Sequence, residues 1–149
     1  MKSKVRIRYI ALIAALCLLS VTMSGCLNIN QSGYEFKSGI TPPAVVSNLM
    51  QNRTVILFIT QNNCPDCEQT RPLIAGLQSQ YNGTNVTFVN FNVDDNSTSQ
   101  NVAKAYGVTA TPTTVVLRKD GAAAIFVGAL DSSSVNTVKS AIDDARSTY

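Results

Sequence analysis

Val55-Ile56-Leu57-Phe58-Ile59-Thr60-Gln61-Asn62-Asn63-Cys64-Pro65-Asp66-Cys67 is the stretch from which the rest of the chain is read. Its first five residues are aliphatic or aromatic without a polar break, the pattern of a central strand covered on both faces. Gln61-Asn62-Asn63 is a polar loop. Beyond Pro65 the spacing turns helical, with Leu73, Ile74, Leu77 and Tyr81 on one stripe before Asn82-Gly83 stops it. Two cysteines at a strand-to-helix junction are placed as a redox pair is. A separation of three on a helix sets both sulfurs on one face and within bridging reach.

The flanks fit around this centre. Upstream, Thr41-Pro42-Pro43 reads as a helix start, with Val45, Val46, Leu49 and Met50 at helical spacing behind it. Downstream, residues 86–93 predict a second strand and Asp94-Asp95-Asn96-Ser97 a turn and cap. A short helix carrying Val102, Ala103 and Tyr106 then runs to Gly107. Residues 113–117, Lys119-Asp120-Gly121 and residues 122–127 predict a β-hairpin, because Asp-Gly between two strand-like runs is a strong turn signal. Ser132 to Ser134 are expected to cap a last helix whose Val135, Val138, Ile142 and Ala145 share a face. The order αβαβαββα, one mixed sheet between helices, is an α/β domain. Pro72 lies inside the helix that follows the cysteines and should kink it.

At 149 residues, 45% of them apolar, the chain suits one domain with a real core. Its formal charge of +3 is concentrated in Lys2, Lys4, Arg6 and Arg8; beyond Cys26 eight basic residues face nine acidic ones, a net of −1. No basic patch therefore points to nucleic acid. The four N-terminal charges precede an apolar run over residues 10–23 that ends in Ser24-Gly25-Cys26, the layout of a secretory signal. At fourteen residues the run is shorter than the roughly 20 of a membrane span. Met23-Ser24-Gly25-Cys26 resembles a lipoprotein signal with Cys26 as the lipidated residue, although Met23 stands where leucine is expected. A plain signal or a retained anchor are the alternatives, and each places the domain outside the cytoplasm.

Cys17 would leave with such a signal and Cys26 would carry lipid, so Cys64 and Cys67 have only each other. Outside the cytoplasm a disulfide between them persists. Cys64, at the start of its helix, faces unpaired N–H groups and the positive dipole end, which favour a thiolate, the attacking form in exchange. Cys67 then resolves the mixed disulfide. Pro65 fits the first helical turn. Asp66 opposes a second negative charge and should make the couple less oxidising. A purely structural crosslink is the competing reading, but so short a loop gains little from closure. The chain has no histidine and no second cysteine pair, which argues against a metal site.

From about Pro42 onward the sequence resembles the thioredoxin superfamily. Besides the dithiol, the likeness rests on Pro72 eight residues after Cys64, Tyr106-Gly107-Val108 leading to Thr111-Pro112-Thr113, the Lys119-Asp120-Gly121 turn, and Val127-Gly128-Ala129-Leu130. The resemblance implies a thioredoxin-like three-layer α/β/α sandwich with a mixed four-stranded sheet. It further implies that Pro112 is cis and packs against the dithiol, and that the Thr111 backbone pairs with a substrate strand. Three positions depart from the family: Phe58 stands where thioredoxins bury an aspartate, Asn90 where its lysine partner lies, and Asn63 where a tryptophan precedes the first cysteine.

The expected organisation is a signal over residues 1–25, a tether over 26–40 and the thioredoxin-like domain over 41–149. In the tether Tyr34 and Phe36 are read as parts of a solvated linker. The expected activity is extracytoplasmic thiol–disulfide exchange with protein substrates by a membrane-tethered monomer, without cofactor or metal. The alternative is a non-catalytic binding module with a structural disulfide. Asn52, Asn82, Asn85 and Asn96 each begin a glycosylation acceptor pattern, more simply explained by an Asn- and Thr-rich composition.

Overall fold

The computed structural model of the protein describes residues 33–149. The expected signal and Cys26 lie outside them. The elements run α1 (Ala44–Met50), β1 (Thr54–Thr60), α2 (Pro65–Gln80), β2 (Val86–Asn92), α3 (Ser97–Ala105), β3 (Thr113–Leu117), β4 (Ala123–Val127) and α4 (Ser132–Arg146). The sheet order is β2-β1-β3-β4, with β1 and β2 parallel and the other neighbours antiparallel. Every residue of β1 is buried, which is why its sequence shows no alternation of apolar and polar positions.

The two faces of the sheet carry separate cores. Val55, Leu57 and Ile59 point to one, where they meet Val46 and Met50 of α1 and Val102, Ala103 and Tyr106 around α3. Ile56 and Phe58 point to the other, against Ile74 and Leu77 of α2 and Val138, Ala141 and Ile142 of α4. The result is a three-layer α/β/α sandwich with a mixed four-stranded sheet. Burial of each side chain of this size stabilises by about 1.5–3 kcal/mol relative to exposure, so the alternation along β1 holds both helical layers to one strand.

Three expectations are corrected in detail. The first helix begins at Ala44 with Pro43 at its N-cap, not at Thr41, because two consecutive prolines hold the chain extended up to that point. The last helix is capped by Asp131, whose carboxylate accepts the Ser133 and Ser134 amides at 3.0 and 2.7 Å, while Ser132 to Ser134 form its first turn. The hydrogen bonds from Ser134 hold the Asp131 carboxyl below its usual range.

The third correction concerns Tyr34 and Phe36, which are packed and not solvated. Tyr34 stacks edge-on with Phe36 and lies 6.3 Å from the Phe126 ring, and both abut the core under α4. The Arg118 guanidinium sits 5.2 Å over the Phe36 ring. Lys37 exchanges two backbone hydrogen bonds with Ala123, at 2.9 and 3.0 Å, and so covers part of the exposed edge of β4. Among the described residues, no helix is long and apolar enough to cross a membrane.

Candidate active site

β1 ends at the loop that delivers the dithiol. Cys64 is the N-cap of α2, with extended backbone angles, and its sulfur accepts the Cys67 amide at 3.1 Å. That is the position of Ser or Asp in an ordinary cap, here filled by a sulfur that can bear charge. Pro65 occupies the first turn, where a missing N–H costs nothing, and the helix continues through Pro72 to Gln80.

Cys64 and Cys67 form a disulfide. The two cysteines are both buried but not equivalent: Cys64 retains 7% exposure and Cys67 none. Incoming nucleophiles or disulfides therefore meet Cys64 first. Pro65 and Asp66 are exposed beside it. Glu68, also in the first turn, is paired with Arg71 at 3.0 Å, and that hydrogen bond holds its carboxyl below the ordinary range.

The chain returns to the dithiol from far away in sequence. The Thr111–Pro112 bond is cis, and the Thr111 hydroxyl lies 3.8 Å from the Cys64 sulfur. The Pro112 carbonyl accepts the Gly128 amide at 2.8 Å, joining this loop to the end of β4. Two residues on, the buried Leu130 amide donates to the Thr70 hydroxyl at 3.1 Å, locking the same segment onto α2. Cys64, Pro65, Asp66, Cys67 and Thr111, the last joined by its cis bond to Pro112, thus lie together at the start of α2.

Position 58, where the resemblance places a buried aspartate, carries a phenylalanine. Phe58 is 3% exposed, sits opposite Asn90 in the β1–β2 register, and carries the Arg71 guanidinium 5.9 Å above its ring. Asn90 instead accepts the Thr60 hydroxyl at 3.2 Å. A cleft of about 240 Å³ lies alongside, lined by Phe58, Arg71, Ile74, Gln78, Phe88 and Asn90. Neither cysteine lines it. Among the described residues no group of three or more His, Cys, Asp or Glu side chains could hold a metal ion.

Sequence reading missed the residues that hold the loop itself. The Asn62 amide donates to the Asp94 carboxylate at 2.7 Å, and the Asn62 side-chain oxygen accepts from Asn92 at 2.8 Å. These contacts span some thirty residues, from the loop after β1 to the end of β2 and the turn beyond it, and no periodicity or motif announces such pairs.

Residues 43–140 match the thioredoxin-like domain family. Among solved structures, mitochondrial thioredoxin 3 from Saccharomyces cerevisiae is 27% identical, covers 67% of this chain and 87% of its own, and superposes with a TM-score of 0.56. Thioredoxins from Fasciola hepatica and Halobacterium salinarum, the latter a point mutant, are similar in fold: identities are 22% and 23%, coverage of this chain 68% and 72%, coverage of their own 89% and 88%, and TM-scores 0.56 and 0.57. No curated protein matches the chain in sequence. A mixed four-stranded sheet between helices, with a Cys-X-X-Cys disulfide at the start of the second helix, defines a thiol–disulfide oxidoreductase of thioredoxin fold. The chain belongs to the thioredoxin-like domain family.

Proposed function

We propose that this protein exchanges disulfides with protein substrates outside the cytoplasm, held at the membrane by lipid on Cys26. The observation that carries the chemistry is the asymmetry of the pair: Cys64 caps α2 and keeps 7% exposure, while Cys67 is fully buried. In the reducing direction the Cys64 thiolate attacks one sulfur of a substrate disulfide. A mixed disulfide forms and the other substrate sulfur departs as thiolate. Cys67, once deprotonated, attacks the Cys64 sulfur, releases the second substrate thiolate and closes the Cys64–Cys67 disulfide. Two electrons pass from protein to substrate, and the reverse sequence oxidises a substrate dithiol.

Export and lipidation rest on the four N-terminal charges, the apolar run and Ser24-Gly25-Cys26. A protein substrate is favoured because Cys64 keeps 7% exposure beside the Thr111 hydroxyl, at the exposed first turn of α2. The test is reduction of insulin by dithiothreitol in the presence of the protein. Acceleration over dithiothreitol alone is expected, and its absence would favour the binding-module reading. In the native host, Cys26→Ala should move the protein out of the membrane fraction. Retention there would point to an uncleaved anchor.

Asp66 sets the expected poise. Exposed in the first turn of α2 between the two cysteines, its carboxylate opposes a second negative charge on Cys64. Asp66→His should therefore stabilise the reduced form and raise the reduction potential by about 30 mV, equivalent to about 1.4 kcal/mol for this two-electron couple. Equilibration with glutathione buffers measures it. A variant no more oxidising than the parent would remove the charge argument.

A further inference from the structure

The loop that delivers Cys64 is held from outside by a turn on the neighbouring strand. Gln61, Asn62 and Asn63 are all exposed, so no core packing fixes them. Asn63 adopts a left-handed backbone at φ 52°, a conformation that asparagine tolerates but which leaves it several alternatives. What restrains the loop is a set of hydrogen bonds to the turn after β2. The Asp94 carboxylate takes the Asn62 amide at 2.7 Å, and the Asn92 side-chain amide donates to the Asn62 side-chain oxygen at 2.8 Å. Asn92 is itself oriented, because its side-chain oxygen accepts the Asp94 amide at 3.0 Å. One residue back, the Val93 amide donates to the Thr60 carbonyl at 2.9 Å and continues the β1–β2 ladder into the turn.

We propose that Asn92 and Asp94 are positioning residues for Cys64, a clamp that keeps its sulfur on the N-terminus of α2 once the disulfide is open. This rests on the oxidoreductase reading of the dithiol. While the disulfide is closed, Cys67 alone fixes Cys64. After reduction that covalent restraint is gone, and the cap contact from the Cys67 amide must hold the sulfur against the freedom of an exposed loop. The clamp reduces that freedom at Asn62, two residues before the sulfur, and acts from both the backbone and the side chain. Neither clamp residue touches the reacting atoms.

The charged groups around Cys64 allow position to be separated from charge. Asp66 and Glu68 stand in the first turn of α2, Glu68 paired with Arg71, while Asp94 holds the loop from the turn after β2 and Asp95 is exposed in that turn. Removing Asp94 altogether deletes an acceptor and a negative charge together, and these act in opposite directions on the thiolate. Asn92→Ala removes the side-chain half of the clamp and the acceptor that orients Asp94, with no change of charge. Asp94→Asn removes the charge and keeps an acceptor for the Asn62 amide.

The deciding measurement is the titration of the reduced protein by thiolate absorbance, together with the rate of mixed-disulfide formation on a small aromatic disulfide. In Asn92→Ala the Cys64 thiol should titrate about one pH unit higher than in the parent, because the sulfur spends less time on the helix terminus. Exchange at neutral pH should fall about two- to threefold, since the greater intrinsic nucleophilicity of a more basic thiolate restores part of the lost thiolate fraction. Asp94→Asn should titrate at or below the parent. A merely structural role would lower the melting temperature and leave the titration where it was. Asn92→Ala with a parent-like titration overturns the clamp, whatever its stability. A parent that fails to exchange disulfides at all would instead overturn the oxidoreductase reading, and the titration would still decide the clamp.

Discussion

Cys64→Ser is expected to abolish catalysed disulfide exchange, while Cys67→Ser should leave the first half of the reaction intact and stall the second. The serine hydroxyl is not ionised near neutrality and is a poor nucleophile towards sulfur. The loss at Cys64 should be on the order of 10³-fold or more, down to the rate of dithiothreitol alone. Cys67→Ser keeps the more accessible cysteine at the helix terminus and removes the group that displaces the substrate from it. Mixed disulfides between Cys64 and substrate proteins should then accumulate, visible by non-reducing electrophoresis and mass spectrometry. The asymmetry follows from 7% exposure at one cysteine and none at the other. If Cys64→Ser traps substrates through Cys67, the polarity assigned from burial is wrong. If neither variant traps anything in the native host, the dithiol is a crosslink and the domain a binding module.

The parts of the site that could be read from sequence are the parts built by local chemistry. An unbroken apolar run at residues 55–59, a cysteine pair with proline between, and a helical stripe after it require only neighbours a few residues away, and each shows its period or its cap. The fully buried β1 and the Cys64 N-cap are the physical form of those signals. Contacts that close over long separations left no such mark. Asn62, Asn92 and Asp94 are ordinary turn residues until β1 and β2 pair and bring their ends together. Thr70 looks like a helix filler until Leu130 needs an acceptor for a buried amide. Tyr34 and Phe36 alternate with Glu35 and Lys37, a strand-like signature too short to outweigh the polar sequence around it. The edge of β4 reveals why that alternation exists, since Lys37 pairs with Ala123 while the two rings turn towards Phe126 and Arg118.

Phe58 marks the place where this chain departs from the family pattern, and Phe58→Asp is expected to destabilise the fold by about 3–5 kcal/mol or more. The ring is 3% exposed within the core shared by Ile56, Ile74 and Leu77, so its removal leaves an apolar cavity even before a charge is introduced. The new carboxylate would face Asn90 across the register, a neutral side chain already engaged with Thr60, and would find no lysine there. Arg71 is the nearest cation, 5.9 Å above the ring, but it is half exposed and committed to Glu68 at 3.0 Å. Pairing with a buried carboxylate in place of the ring would cost it that partner and its solvent. Against a net stability of about 5–15 kcal/mol for a domain of this kind, the loss is a large fraction. Urea unfolding should show a midpoint lowered by about 2 M, given slopes of about 1–3 kcal/mol per molar. Phe58→Leu, which keeps the site apolar, should cost only about 1 kcal/mol and separates the effect of charge from that of volume. An Asp variant as stable as the Leu variant would mean that Arg71 or water reaches the site far more readily than its packing implies.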